Sequence, residues 1–199
     1  MPNISFNPSL TTSPSGRFQI SIRGAVQGMF ADDPTSRPWL MQGQVYDSVS
    51  MPLYGGMAIE ELVPVPGSAN GNGLGPILNL SSNAATITGF TVFNQGHNML
   101  MAPGNLVPQS AGGMSIMFFR MGTNARIWVG IDAAGIAAVE GNPINTTVYW
   151  DHTNHILSGT GTNDAIVCKV LAINTNCKTI VVANGLANWS TGNCALIQI

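Results

Sequence analysis

The chain of 199 residues predicts an all-β fold, a jelly roll or a β-sandwich or barrel, entered through an extended N-terminal arm. Three observations predict it. Apolar residues recur in short segments at the period of a strand. Turn formers are dense, with 23 Gly and 12 Pro spread along the chain. Helix signals are scarce. The best is DAAGIAAVE at 132–140, short and interrupted by Gly135, which reads as one turn of helix or a loop. Many short strands separated by frequent turns argue for a sandwich, jelly roll or barrel.

Residues 1–16, MPNISFNPSLTTSPSG, are rich in Pro, Ser, Thr and Asn and lack apolar periodicity. They predict an arm or a disordered tail. From Arg17 the pattern changes: Phe18, Ile20 and Ile22 alternate with Gln19, Ser21 and Arg23, which places one apolar face on a strand. Residues 114–120 are apolar at nearly every position and suit a strand buried on both faces. Residues 126–131 follow after Met121-Gly122-Thr123-Asn124, so the two segments read as a hairpin. Further strands are expected at 147–150, 165–173, 179–183 and 194–199, with Asn184-Gly185 as a turn. A soft boundary within 133–146 separates a β region at 17–135 from one at 136–199, unless both form one domain.

Charged residues make up 8% of the chain, against about 25% in an ordinary soluble domain. Residues 62–119 contain no Asp, Glu, Lys or Arg. That stretch reads either as a buried core with neutral loops or as an interface, since interfaces are depleted in charge at their centres. It holds too many Gly, Asn, Pro and Ser residues for a membrane span. The net charge is −2 without a basic run, which argues against nucleic acid as a partner. The N-terminus lacks the basic and apolar blocks of a secretory signal.

Few groups are available for catalysis. The histidines are His97, His152 and His155. Asp151-His152-Thr153-Asn154-His155 is the one local cluster, and it reads as a polar Asx turn closing a strand rather than a metal site. Asp32-Asp33 and Glu60-Glu61 are adjacent in sequence with nothing to locate a cleft between them. No nucleophile elbow, P-loop or zinc-protease motif occurs, and Gly71-Asn72-Gly73-Leu74-Gly75 reads as a loop. Cys168, Cys177 and Cys194 are expected to be small reduced hydrophobes, with one disulfide and one free thiol as the alternative. No enzymatic activity, cofactor or metal is expected.

Trp128 and Trp150 fall in strands and are expected in the core. Trp39 and Trp189 lie beside turn residues and are candidates for an interface or a ligand platform. Ten methionines, including Met41, Met51 and Met57 and then Met99, Met101, Met114, Met117 and Met121, suit adaptable contacts. The interface candidates are Trp39, Met41, Met57, Phe93, Met99, Met101 and Trp189.

Several segments resemble the head decoration, or structural cement, proteins of tailed bacteriophages. Ala25-Val26-Gln27-Gly28-Met29-Phe30-Ala31-Asp32 is similar to their A-V-x-G-M-x-A-D segment. Gly89-Phe90-Thr91-Val92-Phe93-Asn94-Gln95 resembles G-x-x-V-F-D/N-Q. Residues 118–127, FFRMGTNARI, resemble F-Y/F-R-x-G-x-x-A-R, and Val148-Tyr149-Trp150-Asp151 resembles V-x-W-D. Ala187-Asn188-Trp189-Ser190 and the segment from Cys194 to Ile199 resemble the end of the family pattern. The first 16 residues lie outside it. The resemblance implies a β-rich, non-catalytic protein made in the host cytoplasm. It would bind the outer surface of the capsid shell on the virion, at junctions between copies of the major capsid protein. The expected partners are that protein and further copies of the chain, as a dimer or trimer. The arm and residues 62–119 are the expected contact regions. The alternatives are a tail or baseplate component, or a carbohydrate-binding β-sandwich on the virion that uses Trp39 or Trp189.

Overall fold

A computed structural model describes residues 25–30, 36–64, 75–92, 107–160, 164–183 and 186–199. The expected arm, the strand expected at 18–22, Phe93, Met99, Met101, His97 and the Asn184-Gly185 turn lie outside the described residues. Within them the fold is all-β, and its central feature is a closed five-stranded barrel.

The barrel strands are β1 (Met41–Val45), β3 (Ala58–Leu62), β4 (Ile77–Leu80), β5 (Gly89–Val92) and β7 (Ser115–Arg120), in the order β1-β4-β3-β5-β7. β1 and β4 pair in parallel and the other neighbours antiparallel. A two-stranded ribbon, β2 (Leu53–Tyr54) with β6 (Gln109–Ser110), stands beside it. A three-stranded sheet follows in the order β12 (Lys169–Ala183), β13 (Leu186–Gln198) and β8 (Arg126–Gly130). A smaller sheet has the order β10 (Ile156–Ser158), β9 (Val148–Asp151) and β11 (Asp164–Ile166). Residues 132–140 resolve into a helix, α1 (Ala133–Val139). The Asp132 side chain accepts a hydrogen bond from Gly135 N and so satisfies one of the unpaired donors of the first turn.

Strand alternation divides β7 between two cores. Ile116 and Phe118 join Val45, Ile59, Leu78, Tyr54 and Met57 in the first core. Four of the five barrel strands supply members, and Ile180 of β12 and Ala187 of β13 join them, so this core ties the barrel to the long sheet. Phe119 joins Phe90, Val92, Trp150, Leu157 and Ile197 in the second core, between the barrel and the sheets. Here the continuous apolar run at 116–119 finds its cause, because both faces of the strand are covered. Met114 and Ser115 are exposed, so burial on both faces starts only at Ile116. Edge-to-face ring pairs, Phe30–Phe119 at 5.3 Å and Phe90–Trp150 at 5.2 Å, tie the second core together. That core draws on residues from both sides of position 135.

The expected hairpin between 114–120 and 126–131 does not form, although both segments are strands. β7 pairs with β1 and β5, whereas β8 pairs with β13. The connection has two positive-φ residues, Gly122 at 84° and Asn124 at 58°, and it carries the chain out of the barrel into the next sheet. The segment expected at 165–173 is likewise divided. β11 ends at Ile166 and β12 starts at Lys169.

Residues 25–30 join the parts. Val26 bridges Lys178 of β12 and Phe30 bridges Ile127 of β8. The buried Gln27 side chain accepts a hydrogen bond from Ile180 N at 2.9 Å. This segment thereby covers part of two strand edges that would otherwise offer unpaired backbone groups.

Candidate interaction surface

The structure separates the interface candidates. Trp39 is 59% exposed. It ends a 3-10 turn, Arg37-Pro38-Trp39, immediately before β1. Pro38 suits such a turn because its φ is preset and its missing N–H is not needed there. Met41 and Trp189 are partly buried against the first core. Met57 is not an interface residue. It is 0% exposed in the barrel core, and its sulfur accepts a hydrogen bond from Tyr54 N at 3.2 Å. A turn at 54–57 folds it inward, which spacing alone does not reveal.

Other apolar side chains reach the surface without being singled out by sequence. Tyr46 and Met114 are exposed, and Val45 N donates to Met114 O at 2.7 Å, so both lie near the C-terminal end of β1. The Gly112-Gly113 turn before β7 is the one signal that could have marked Met114 as surface. The charge-free stretch splits in the same way. Its strands β4, β5 and β7 supply core residues, whereas residues 111–115 are all exposed.

The polar cluster at 151–155 is the Asx turn that its residues suggest. Asp151 accepts from Thr153 N at 2.8 Å, Asn154 N at 3.0 Å and Asn154 Nδ2 at 2.7 Å. Burial would raise the Asp151 pKa, but these bonds from Asn154 and Thr153 outweigh it and hold the carboxyl below its ordinary value. His152 Nδ1 lies 2.9 Å from Ser81 O. His155 is buried with φ at 56°. Burial, and then the neighbouring His152, push its pKa below 6.5 against the attraction of Asp151. Among the described residues no three His, Cys, Asp or Glu side chains gather as metal ligands.

Cys177 and Cys194 are buried together with Ala25. Hydrogen bonding to Cys177, followed by burial, raises the Cys194 pKa. Cys168 is half-buried, and burial pushes its thiol up to about 12. It lines a cleft of about 480 Å³ beside the start of β12. Neither Trp39 nor Trp189 lines that cleft.

Arg120 forms an ion pair with Glu61. Nε donates to Oε1 at 2.8 Å and Nη2 to Oε2 at 2.6 Å, a bidentate geometry. The hydrogen bond to Glu61 raises the Arg120 pKa further. The pair links β3 to β7 past β5, so its role is in the barrel wall. Among the described residues no helix is long and apolar enough to cross a membrane. Comparison with protein-family models, curated proteins and solved structures finds no match for this chain.

Proposed function

We propose that the chain is a capsid decoration protein, which binds the outer surface of a phage shell and stabilises it by burying surface across the seams between shell subunits. The observation that carries this reading is the exposure of large apolar side chains on a charge-poor protein. Trp39 stands at one end of β1, with Tyr46 and Met114 near the other. Trp and Tyr dominate interface energetics when a partner desolvates them. A shell contact of standard size, about 1,600 Å² in total, would cover such a surface. The segments that resemble decoration proteins fall largely on structural positions: Val26 and Gln27 at the sheet edges, Phe90 and Phe119 in the second core, and Trp150 beside them.

The test is co-sedimentation of the purified protein with tailless capsids, with its copy number counted against the major capsid protein. Saturable binding at a fixed ratio, weakened in a Trp39→Ala variant, supports the reading. A stable monomer without affinity for shells overturns it. The exposure of Trp39 also favours a second reading, a sugar platform on the virion. Glycan-array binding that is lost in Trp39→Ala, without capsid binding, would select that reading.

A further inference from the structure

Residues 25–27 give a direction relative to the cleft beside Cys168. Ala25 to Gln27 run in the same direction as β12. Lys178 N donates to Ala25 O at 3.2 Å, Gln27 N donates to Lys178 O at 2.8 Å, and the bridge between Val26 and Lys178 is parallel. Ala25 is therefore the end of this segment that faces toward Lys169, which lines the cleft.

Reach and chemistry agree with this direction. From Lys178 back to Lys169, β12 spans about 30 Å at roughly 3.3 Å per residue. Eight residues separate residue 16 from Ala25, and eight residues span at most about 28 Å, so the mouth of the cleft is within reach of residues 1–16. The floor is apolar, with Met121, Ile166 and Cys168, and the rim carries the amides of Asn124, Asn145 and Gln198. Among the described lining residues no side chain is acidic, and Lys169 is the one cation. At the lip, Val167 is 89% exposed. Ile144, whose carbonyl accepts from Val170 N at 2.8 Å, is also exposed. An apolar lip around an apolar floor marks a surface that is covered in use. Residues 1–16 have the matching character. They contain no Asp, Glu, Lys, Arg or His, and they present Ile4, Phe6 and Leu10 among Pro, Ser, Thr and Asn. A cleft of this volume is large enough for a drug-sized ligand, so it can take one or two apolar side chains.

We propose that this cleft receives residues 1–16 of the same chain, with an apolar side chain of that segment seated against Met121, Ile166 and Cys168. The inference does not depend on shell binding.

Cys168 reports on it directly. The full-length protein and a chain starting at Arg17 are treated with iodoacetamide, and labelling of each cysteine is followed by peptide mass spectrometry. Cys168 is expected to react about tenfold faster or more in the shortened chain, the protection of a docked segment having been lost. Equal rates overturn the proposal. Protection in the full-length chain that disappears on dilution also overturns it, because the segment would then belong to another copy. Cys177 and Cys194 are buried elsewhere and serve as the folding control. If they too become reactive in the shortened chain, the full-length Phe6→Asp variant replaces it. Faster labelling of Cys168 alone then supports the proposal, and an unchanged rate overturns it.

Discussion

Thr91 shows how much one buried polar side chain can organise. Its hydroxyl donates to Tyr54 O at 2.5 Å and accepts from Met57 N at 2.9 Å. Its backbone exchanges bonds with Gly56 and Met57. The turn that buries Met57 is thereby held to β5. Thr91→Val keeps the shape but leaves a buried donor and acceptor unpaired. It should cost about 1–3 kcal/mol in urea unfolding, whereas Thr91→Ser should cost less. His155 gives a pH dependence at the same scale. Its folded pKa is lowered, so below 6.5 the unfolded chain binds the proton more readily than the fold does. Stability is therefore full above that value and falls as pH drops through and below it. Urea midpoints measured from pH 8 down to pH 5 should show the fall. His155→Asn, which tolerates positive φ, should flatten it. At this scale the polar turn at 151–155 was legible in the sequence, because an Asx turn is built from neighbours in the chain. The fate of Met57 was not, since its burial depends on Thr91, far away in sequence.

At the scale of the elements, the barrel closes through contacts that leave little room. A Cβ on Gly89 would fall on the backbone carbonyl of Phe119. Gly89→Ala must push β5 from β7 and should destabilise by about 1–3 kcal/mol, measured by thermal or urea unfolding. The Glu61–Arg120 pair crosses the same wall but stays partly in water, with the Arg120 side chain 49% exposed. A double-mutant cycle with Glu61→Gln and Arg120→Gln should give a coupling below about 1 kcal/mol, weakened further by salt. Among the described residues, most segments that periodicity marks as strands are strands. β7, β9 and the ends of β12 and β13 fall where apolar character placed them. Pairing was the failure. The turn at 121–124 resembles a hairpin connection, yet β7 closes the barrel between β1 and β5, so Phe118 enters the first core, and β8 joins β13 and packs Ile127 and Val129 into the second core with Phe119.

For the molecule as a whole, the proposed role predicts that Trp39→Ala leaves the unfolding midpoint nearly unchanged, since the side chain is exposed, while weakening shell binding. Loss of one exposed aromatic anchor should cost about 2 kcal/mol of affinity or more, roughly thirtyfold in Kd, read by co-sedimentation. Equal loss in stability and binding would assign Trp39 a structural role instead. Part of this could be read from the chain alone. The all-β class and the scarcity of charge follow from composition and short-range periodicity, which need no knowledge of who pairs with whom. Trp39 was marked by the turn residues beside it. Tertiary structure alone decided the rest: a closed barrel with β1 and β4 in parallel, two cores divided by the faces of single strands, Met57 inside and Met114 outside, and a cleft assembled from Met121, Ile166, Cys168 and Gln198. The reason is physical. Local pattern tells a residue which face of its strand it shares with its neighbours. Only long-range pairing determines whether that face meets a second layer of protein or water.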